Sequence, residues 1–233
     1  MTLLSICQDA ADTLGVTRPL TVIGNTDLQV RRLLAQAQRE GAALRRRYRW
    51  QRCIREATFV TVATESQGAI TTIAPAFDSI IIGTAWNRTQ QRPIGILTPE
   101  EWQFQKSAVV TGPYPNIRLR GNLLICSPVP AAGETWAFEY FSKYFCLSNA
   151  SADLTTWTAD TDTGLLDEEL MTLGVIWRFK KSNGLDYAQD FEDYEIEAKA
   201  LMARDGVKRS LNMGDAVDAP PGNLYIPEGS WSL

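Results

Sequence analysis

The sequence predicts an α+β protein: a four-helix bundle, an antiparallel β module inserted between helices two and three, and an extended C-terminal arm. Three observations carry this. Apolar residues recur at alternating steps of three and four over residues 30–48 and again over residues 166–201. Between those ends the apolar period shortens from about 3.6 residues to about 2. After Val207 no period remains, while apolar residues and prolines continue to appear.

Residues 2–14 are predicted to form the first helix. Leu3, Ile6, Cys7, Ala10 and Leu14 share a face, and Gly15 suits the left-handed position after a helix end. The second helix begins in Thr26-Asp27-Leu28-Gln29, read as a capping box with Thr26 at its N-cap. Val30, Leu34, Ala37, Gly41, Leu44 and Tyr48 then form one stripe. Gly41 costs about 1 kcal/mol of helix propensity relative to alanine, which points to a close crossing by another element. The opposite face carries Arg31, Arg32, Arg39, Arg45, Arg46, Arg47 and Arg49, with Glu40 as its one acid.

Strand patterning follows. Ala57-Thr58-Phe59-Val60-Thr61-Val62 alternates, and residues 70–73, 78–86 and 92–97 are further strand candidates. Thr98-Pro99-Glu100-Glu101 is a second capping box, opening a short helix through Lys106. Gly121-Asn122 links residues 114–120 and 123–126 as a hairpin turn. Residues 135–145 alternate again, with Trp136, Phe138 and Tyr140 on one face.

Residues 148–163 are polar and read as a loop interrupted by Trp157, long enough to suggest a functional or interface role. The helical period returns at Leu166, Leu170, Leu173 and Trp177, and again at Tyr187, Phe191, Tyr194, Ala198 and Leu201. Asn183-Gly184 separates these two helices, and Gly206 ends the second. The expected organisation is therefore a helical bundle from residues 1–51 and 164–206, a β module over 52–147, a loop over 148–163 and an arm over 207–233.

The chain has 233 residues and a formal charge of −4, so bulk charge does not make it a polyanion binder. Its charge is unevenly spread: basic residues gather between Arg31 and Arg55, acidic ones between Asp153 and Glu197. It contains no histidine, which removes Ser-His-Asp and Cys-His catalysis and His-ligated zinc. Cys7, Cys53, Cys126 and Cys146 form no CxxC pair and sit among apolar neighbours, so reduced, buried thiols are expected. The N-terminus lacks a basic region ahead of an apolar run, so no signal peptide is expected. No apolar run is long enough to span a bilayer. Synthesis in a cytosol-like compartment is expected.

Candidate chemistry is sparse. No phosphate-cradling glycine motif is present. Asp160-Thr161-Asp162-Thr163-Gly164 resembles a calcium loop, but its glycine comes one place early and Met171 occupies the position of the bidentate glutamate. Asp162 and Thr163 read more simply as helix-capping residues. Glu100, Glu101, Asp167, Glu168 and Glu169 fall in first turns of helices, where the helix dipole favours carboxylates. No catalytic, cofactor-binding or metal site is assigned, and the chain is not expected to be an enzyme. The arginine cluster has two readings: a solvated or internally paired face, or a surface that meets polyanions through bidentate guanidinium contacts. In the second reading the chain would be a nucleic-acid-binding module using helix 31–55.

The order and wording of several segments carry a resemblance. They include Arg45-Arg46-Arg47-Tyr48-Arg49-Trp50, Trp86-Asn87-Arg88-Thr89-Gln90, Leu97-Thr98-Pro99-Glu100-Glu101-Trp102, Phe138-Glu139-Tyr140 and Trp177-Arg178-Phe179-Lys180. Over residues 1–206 the chain resembles the head-to-tail adaptor (connector) proteins of tailed bacteriophages, the tail tubular protein A and portal-adaptor group. The resemblance implies a structural virion protein at the head–tail junction, made in the host cytoplasm. It implies a homo-oligomeric ring, commonly a dodecamer, between the portal protein and a tail or nozzle protein. DNA would pass its channel without sequence readout. On that reading Arg31, Arg39, Arg45, Arg46, Arg47 and Arg49 are ring-interface or channel candidates. Leu211, Val217, Leu224, Tyr225, Ile226 and Trp231 are candidates for an arm that docks on the portal. No cofactor and no membrane partner are implied.

Overall fold

Several helix starts are set by side chains that satisfy orphan backbone amides. In the computed structural model, which describes residues 2–107, 112 and 114–206, Thr2 and Ser5 form a reciprocal capping box at the head of α1 (Leu3–Leu14). Gly15 ends the helix in the left-handed region, at φ 67°. Helix α2 (Leu28–Arg47) starts one residue later than the Thr26 capping box predicts. Asp27 is the N-cap, and its Oδ1 accepts from the Gln29 amide at 2.7 Å. Asn25 Oδ1 in turn accepts from the Asp27 amide at 2.8 Å, so two carbonyl-type acceptors displace the threonine hydroxyl. At the far end the Trp50 indole donates to the Leu44 carbonyl at 2.8 Å, satisfying one of the orphan acceptors of the last turn.

A single turn of 3₁₀ helix, Gln51–Cys53, leads into the strands. These are β1 (Ile54–Val60), β2 (Ser66–Ala69), β3 (Phe77–Ile80), β4 (Trp86–Asn87), β5 (Arg92–Pro93) and β6 (Gly95–Ile96). Further along the chain they continue as β7 (Asn116–Arg120), β8 (Leu123–Ser127), β9 (Thr135–Ser142), β10 (Cys146–Leu147), β11 (Asp153–Leu154) and β12 (Thr163–Gly164). The short α3 (Ile70–Ile73) lies where a strand was expected, and α4 (Pro99–Ser107) follows β6. Thr98 and Glu101 close the expected capping box of α4.

One sheet has the order β1-β9-β4-β5, with β3 also paired to β9. Its longest ladder runs from Ile54 opposite Phe141 to Val60 opposite Thr135. A second sheet has the order β2-β8-β7-β6. The module is not wholly antiparallel, because β6 and β7 are parallel. A parallel pair needs a crossover connection, and α4 lies within it. Ile70 does not extend β2; it is buried at the start of α3. Trp136, Phe138 and Tyr140 share the buried face of β9, as their alternation predicts, and pack with Ala57, Ile117 and Leu124 in one core.

A second core gathers α1, α2, α5 (Glu168–Ser182) and α6 (Ala188–Arg204). Helix α5 packs on α1, α2 and α6, and α1 also packs on α2. The α2–α5 crossing is close. A Cβ on Gly174 would lie 2.3 Å from the Glu40 carboxyl carbon. On the neighbouring side of α2, a Cβ on Gly41 would lie 2.4 Å from the Phe145 ring. Glycine therefore trades helix propensity for approach at both points.

Residues 148–163 are more ordered than a plain loop. They contain β11 and lead into β12, which pair on either side of β10. Trp157 is buried edge-on against Phe145, with ring centroids 5.8 Å apart. Asp162 does not cap α5; Asp167 does, accepting from the Leu170 amide. Residues 207–233, with the six arm candidates named above, lie outside the described residues.

Candidate functional site

The arginine face of α2 is divided by its surroundings into three groups. Arg47 points to α6, where both of its terminal nitrogens donate to the Glu195 carboxylate at 2.6 and 2.5 Å. Its guanidinium also lies 5.4 Å from the Tyr194 ring centroid. The hydrogen bond from Arg47 holds the Glu195 carboxyl below the usual carboxylate range, and the same bond raises Arg47 despite partial burial.

Arg45 and Arg49 sit where the helices meet the β module. Arg45 is only 10% exposed at its side chain, lies 3.3 Å from an Asp78 carboxylate oxygen and reaches the Ser142 carbonyl. Arg49 lies over the Phe141 ring at 5.4 Å. Nearby, Arg55 makes a bidentate pair with Asp153, joining β1 to β11. These arginines fasten the β module to its neighbours.

Arg31, Arg39 and Arg46 form the third group. All three are exposed and make no ion pair among the described residues. Arg46 donates to the Ala42 carbonyl of its own helix, at 3.0 Å. Arg39, Arg46 and Arg178 border an open concavity of about 490 Å³, together with Ala42, Phe145 and Thr155.

Glu40 stands apart from its predicted place among the arginines. It is 1% exposed and faces the core. One carboxylate oxygen accepts from the Tyr194 hydroxyl at 2.6 Å, and the other from Arg178 Nε. Burial and the Glu40 carboxylate push the Tyr194 phenol well above its ordinary value. The inward face of α2 is centred on Val30, Leu33, Ala37, Glu40 and Leu44, with Leu34 and Tyr48 as half-buried flanks. The steps of three and four through Leu33, Ala37, Glu40 and Leu44 were the available signal for a buried acid.

The calcium-like segment is a clamp made of hydrogen bonds. Asp160 accepts from the Val22 and Ile23 amides, tying the segment to the connector between α1 and α2. Asp162 accepts from the Thr158 and Ala159 amides and the Thr158 hydroxyl. Burial opposes the charge on Asp162, but these three bonds outweigh it and hold its carboxyl low. Among the described residues no group of three or more Cys, Asp and Glu is placed to hold a metal ion. The four cysteines are buried free thiols; burial pushes Cys7 and Cys146 up to about 12 and Cys53 and Cys126 up to about 11.

A surface cleft of about 560 Å³ lies away from α2 on the β1-β9-β4 sheet. Trp86, Glu56, Arg88 and Glu139 line it, and Arg88 already pairs with Glu56. In the β core, buried Glu134 accepts from Asn87, Gln90 and the Trp136 indole, another polar node that the sequence reading missed. No helix among the described residues is long and apolar enough to cross a membrane.

No curated protein matches the chain. The family model described as SU10 adaptor protein matches residues 1–222, which agrees with the resemblance to phage head-to-tail adaptors and extends it beyond residue 206. With the match running over nearly the whole sequence, the chain belongs to the SU10 adaptor protein family.

Proposed function

We propose that this protein is a structural component of a bacteriophage virion, the adaptor that joins the portal to the tail as a homo-oligomeric ring and continues the DNA channel. The observation that carries the reading is the family match over residues 1–222. The charge distribution is consistent with it. Four long helices share one core, and we take them as a bundle over 1–51 and 164–206 that builds the ring wall. The β module of 52–147 would project toward tail components, with 148–163 sealing the two parts. The arm of 207–233 would reach the portal, in a ring of about twelve copies by resemblance.

A DNA channel must pass its cargo without gripping it. Salt-dependent affinity rises with each phosphate neutralised. Arg45 and Arg47 are held by Asp78 and Glu195, which leaves Arg31, Arg39 and Arg46 to face phosphates or neighbouring copies. The alternative of a nucleic-acid-binding module on helix 31–55 loses two central guanidinium groups to those carboxylates. Mass photometry of the chain alone, the portal alone and their mixture tests the proposal. The expected result is a new species whose mass exceeds the portal by a whole number of copies. A chain that stays monomeric beside the portal, and binds duplex DNA with steep salt dependence, would favour the alternative.

A further inference from the structure

Two faces of the molecule carry complementary features that one chain leaves unused. On α2, Arg39 and Arg46 flank Ala42, and the concavity of about 490 Å³ there has Phe145 among its apolar lining. On α6, Glu192 and Ile196 stand one turn apart on the outward ridge. Ile196 is 60% exposed, an apolar knob on a ridge that is acidic on its Glu192 side. Glu192 is exposed and makes no ion pair among the described residues. Asp193 beside it accepts from Gln189.

We infer that the outward ridge of α6 of one copy seats in the α2 concavity of the next copy, with Ile196 against Ala42 and Phe145 and Glu192 between Arg39 and Arg46. This rests on the ring reading above and names the contact that closes it. The match is one of charge and of shape: a guanidinium rim around an apolar floor meets a carboxylate beside an apolar knob. Small Ala42 leaves room for the knob, and Thr155 adds a hydroxyl at the rim. The acidic half of the ridge faces the arginines; Lys199, one turn beyond Ile196, is the ridge's basic residue and lies past them.

Symmetry favours this pairing. A two-fold contact through α2 alone would set arginine against arginine. A two-fold contact through α6 would set carboxylate against carboxylate. Joining unlike faces is heterologous, and such contacts close into rings when the rotation permits. Opposite charges across the contact would also steer encounter and reject wrong registers.

The test compares wild type, Glu192→Arg, the pair Arg39→Glu with Arg46→Glu, and the triple charge swap that combines them. Melting temperature is measured for each, since all three sites are exposed and should not affect folding. Assembly on the portal is read by mass photometry across a dilution series. Both partial variants should need about tenfold or more protein to assemble, and the triple swap should recover most of the loss. Ile196→Ser should weaken assembly without changing its salt dependence. If the partial variants assemble like wild type, the face assignment is wrong while the ring reading stands. If the arginine pair loses DNA binding in a filter assay but assembles normally, that face belongs to nucleic acid and the inference is overturned. If wild type forms no ring on the portal, the inference falls together with the ring.

Discussion

The two sides of α2 handle charge in opposite ways. On the inward side a single carboxylate, Glu40, is buried and bonded by Tyr194 and Arg178. On the outward side Arg31, Arg39 and Arg46 stand in solvent without ion pairs among the described residues. A buried charge must be fully partnered, and removing one partner strands the rest. An exposed charge contributes little to folding and is free for association. The inner charge therefore belongs to the fold, and the outer charges to whatever meets the fold.

Substitutions that cross this divide should rank accordingly. The largest loss is expected for Glu40→Ala, about 3–5 kcal/mol by chemical denaturation, because Arg178 and Tyr194 lose their shared acceptor. Glu40→Gln keeps an acceptor for Tyr194 and should lose less. A wild-type midpoint for Glu40→Ala would erase the contrast between the two sides. Next comes Gly174→Ala, whose new methyl would collide with the Glu40 side chain. Overpacking of that kind costs about 1–3 kcal/mol, and the variant should melt well below wild type.

The Arg47–Glu195 pair lies between the extremes, with side chains 25% and 26% exposed. Its contribution should be about 1 kcal/mol or less after screening. It should also depend on pH. The folded carboxyl of Glu195 is depressed relative to the unfolded chain. Its stabilisation is thus complete above the unfolded carboxylate value and fades as pH falls through the folded one. Glu195→Gln should flatten that part of the stability–pH curve between neutral and acid; an unchanged acid limb would mean the pair does not form in solution. Smallest of all, Arg31→Gln should shift stability by no more than about 0.5 kcal/mol.

The same divide explains what could be read from sequence. The four long helices, the Thr98–Glu101 box and the Gly121-Asn122 turn depend on local spacing and local hydrogen bonds, and they appear as expected; the stripes differ in detail, with Leu33 and Glu40 turned inward on α2 and Phe191 exposed on α6. Glu40 sits among arginines in the charge pattern, but the three–four spacing through Leu33, Ala37 and Leu44 turns it inward. Ile70 to Ile73 carries β-branched residues suited to a strand, yet burying Ile70 beside β2 made a helical turn the better solution. The parallel β6–β7 pair is set by the crossover that includes α4, a long-range choice that alternation within a strand does not encode. Thr26 lost the cap to Asp27 because a second acceptor, Asn25, fixes the Asp27 amide. For the arginines, sequence supplied the cluster but not its partners. Asp78, Asp153 and Glu195 lie 33, 98 and 148 positions from Arg45, Arg55 and Arg47, and only the fold brings them together.

One measurement bears most directly on the division between folding charge and assembly charge. It pairs thermal melting with mass photometry on the portal for a variant carrying Arg31→Gln, Arg39→Gln and Arg46→Gln. The expected result is a melting temperature like that of wild type together with loss of the ring-sized species. A ring that forms undiminished, or a chain that no longer folds, would contradict it.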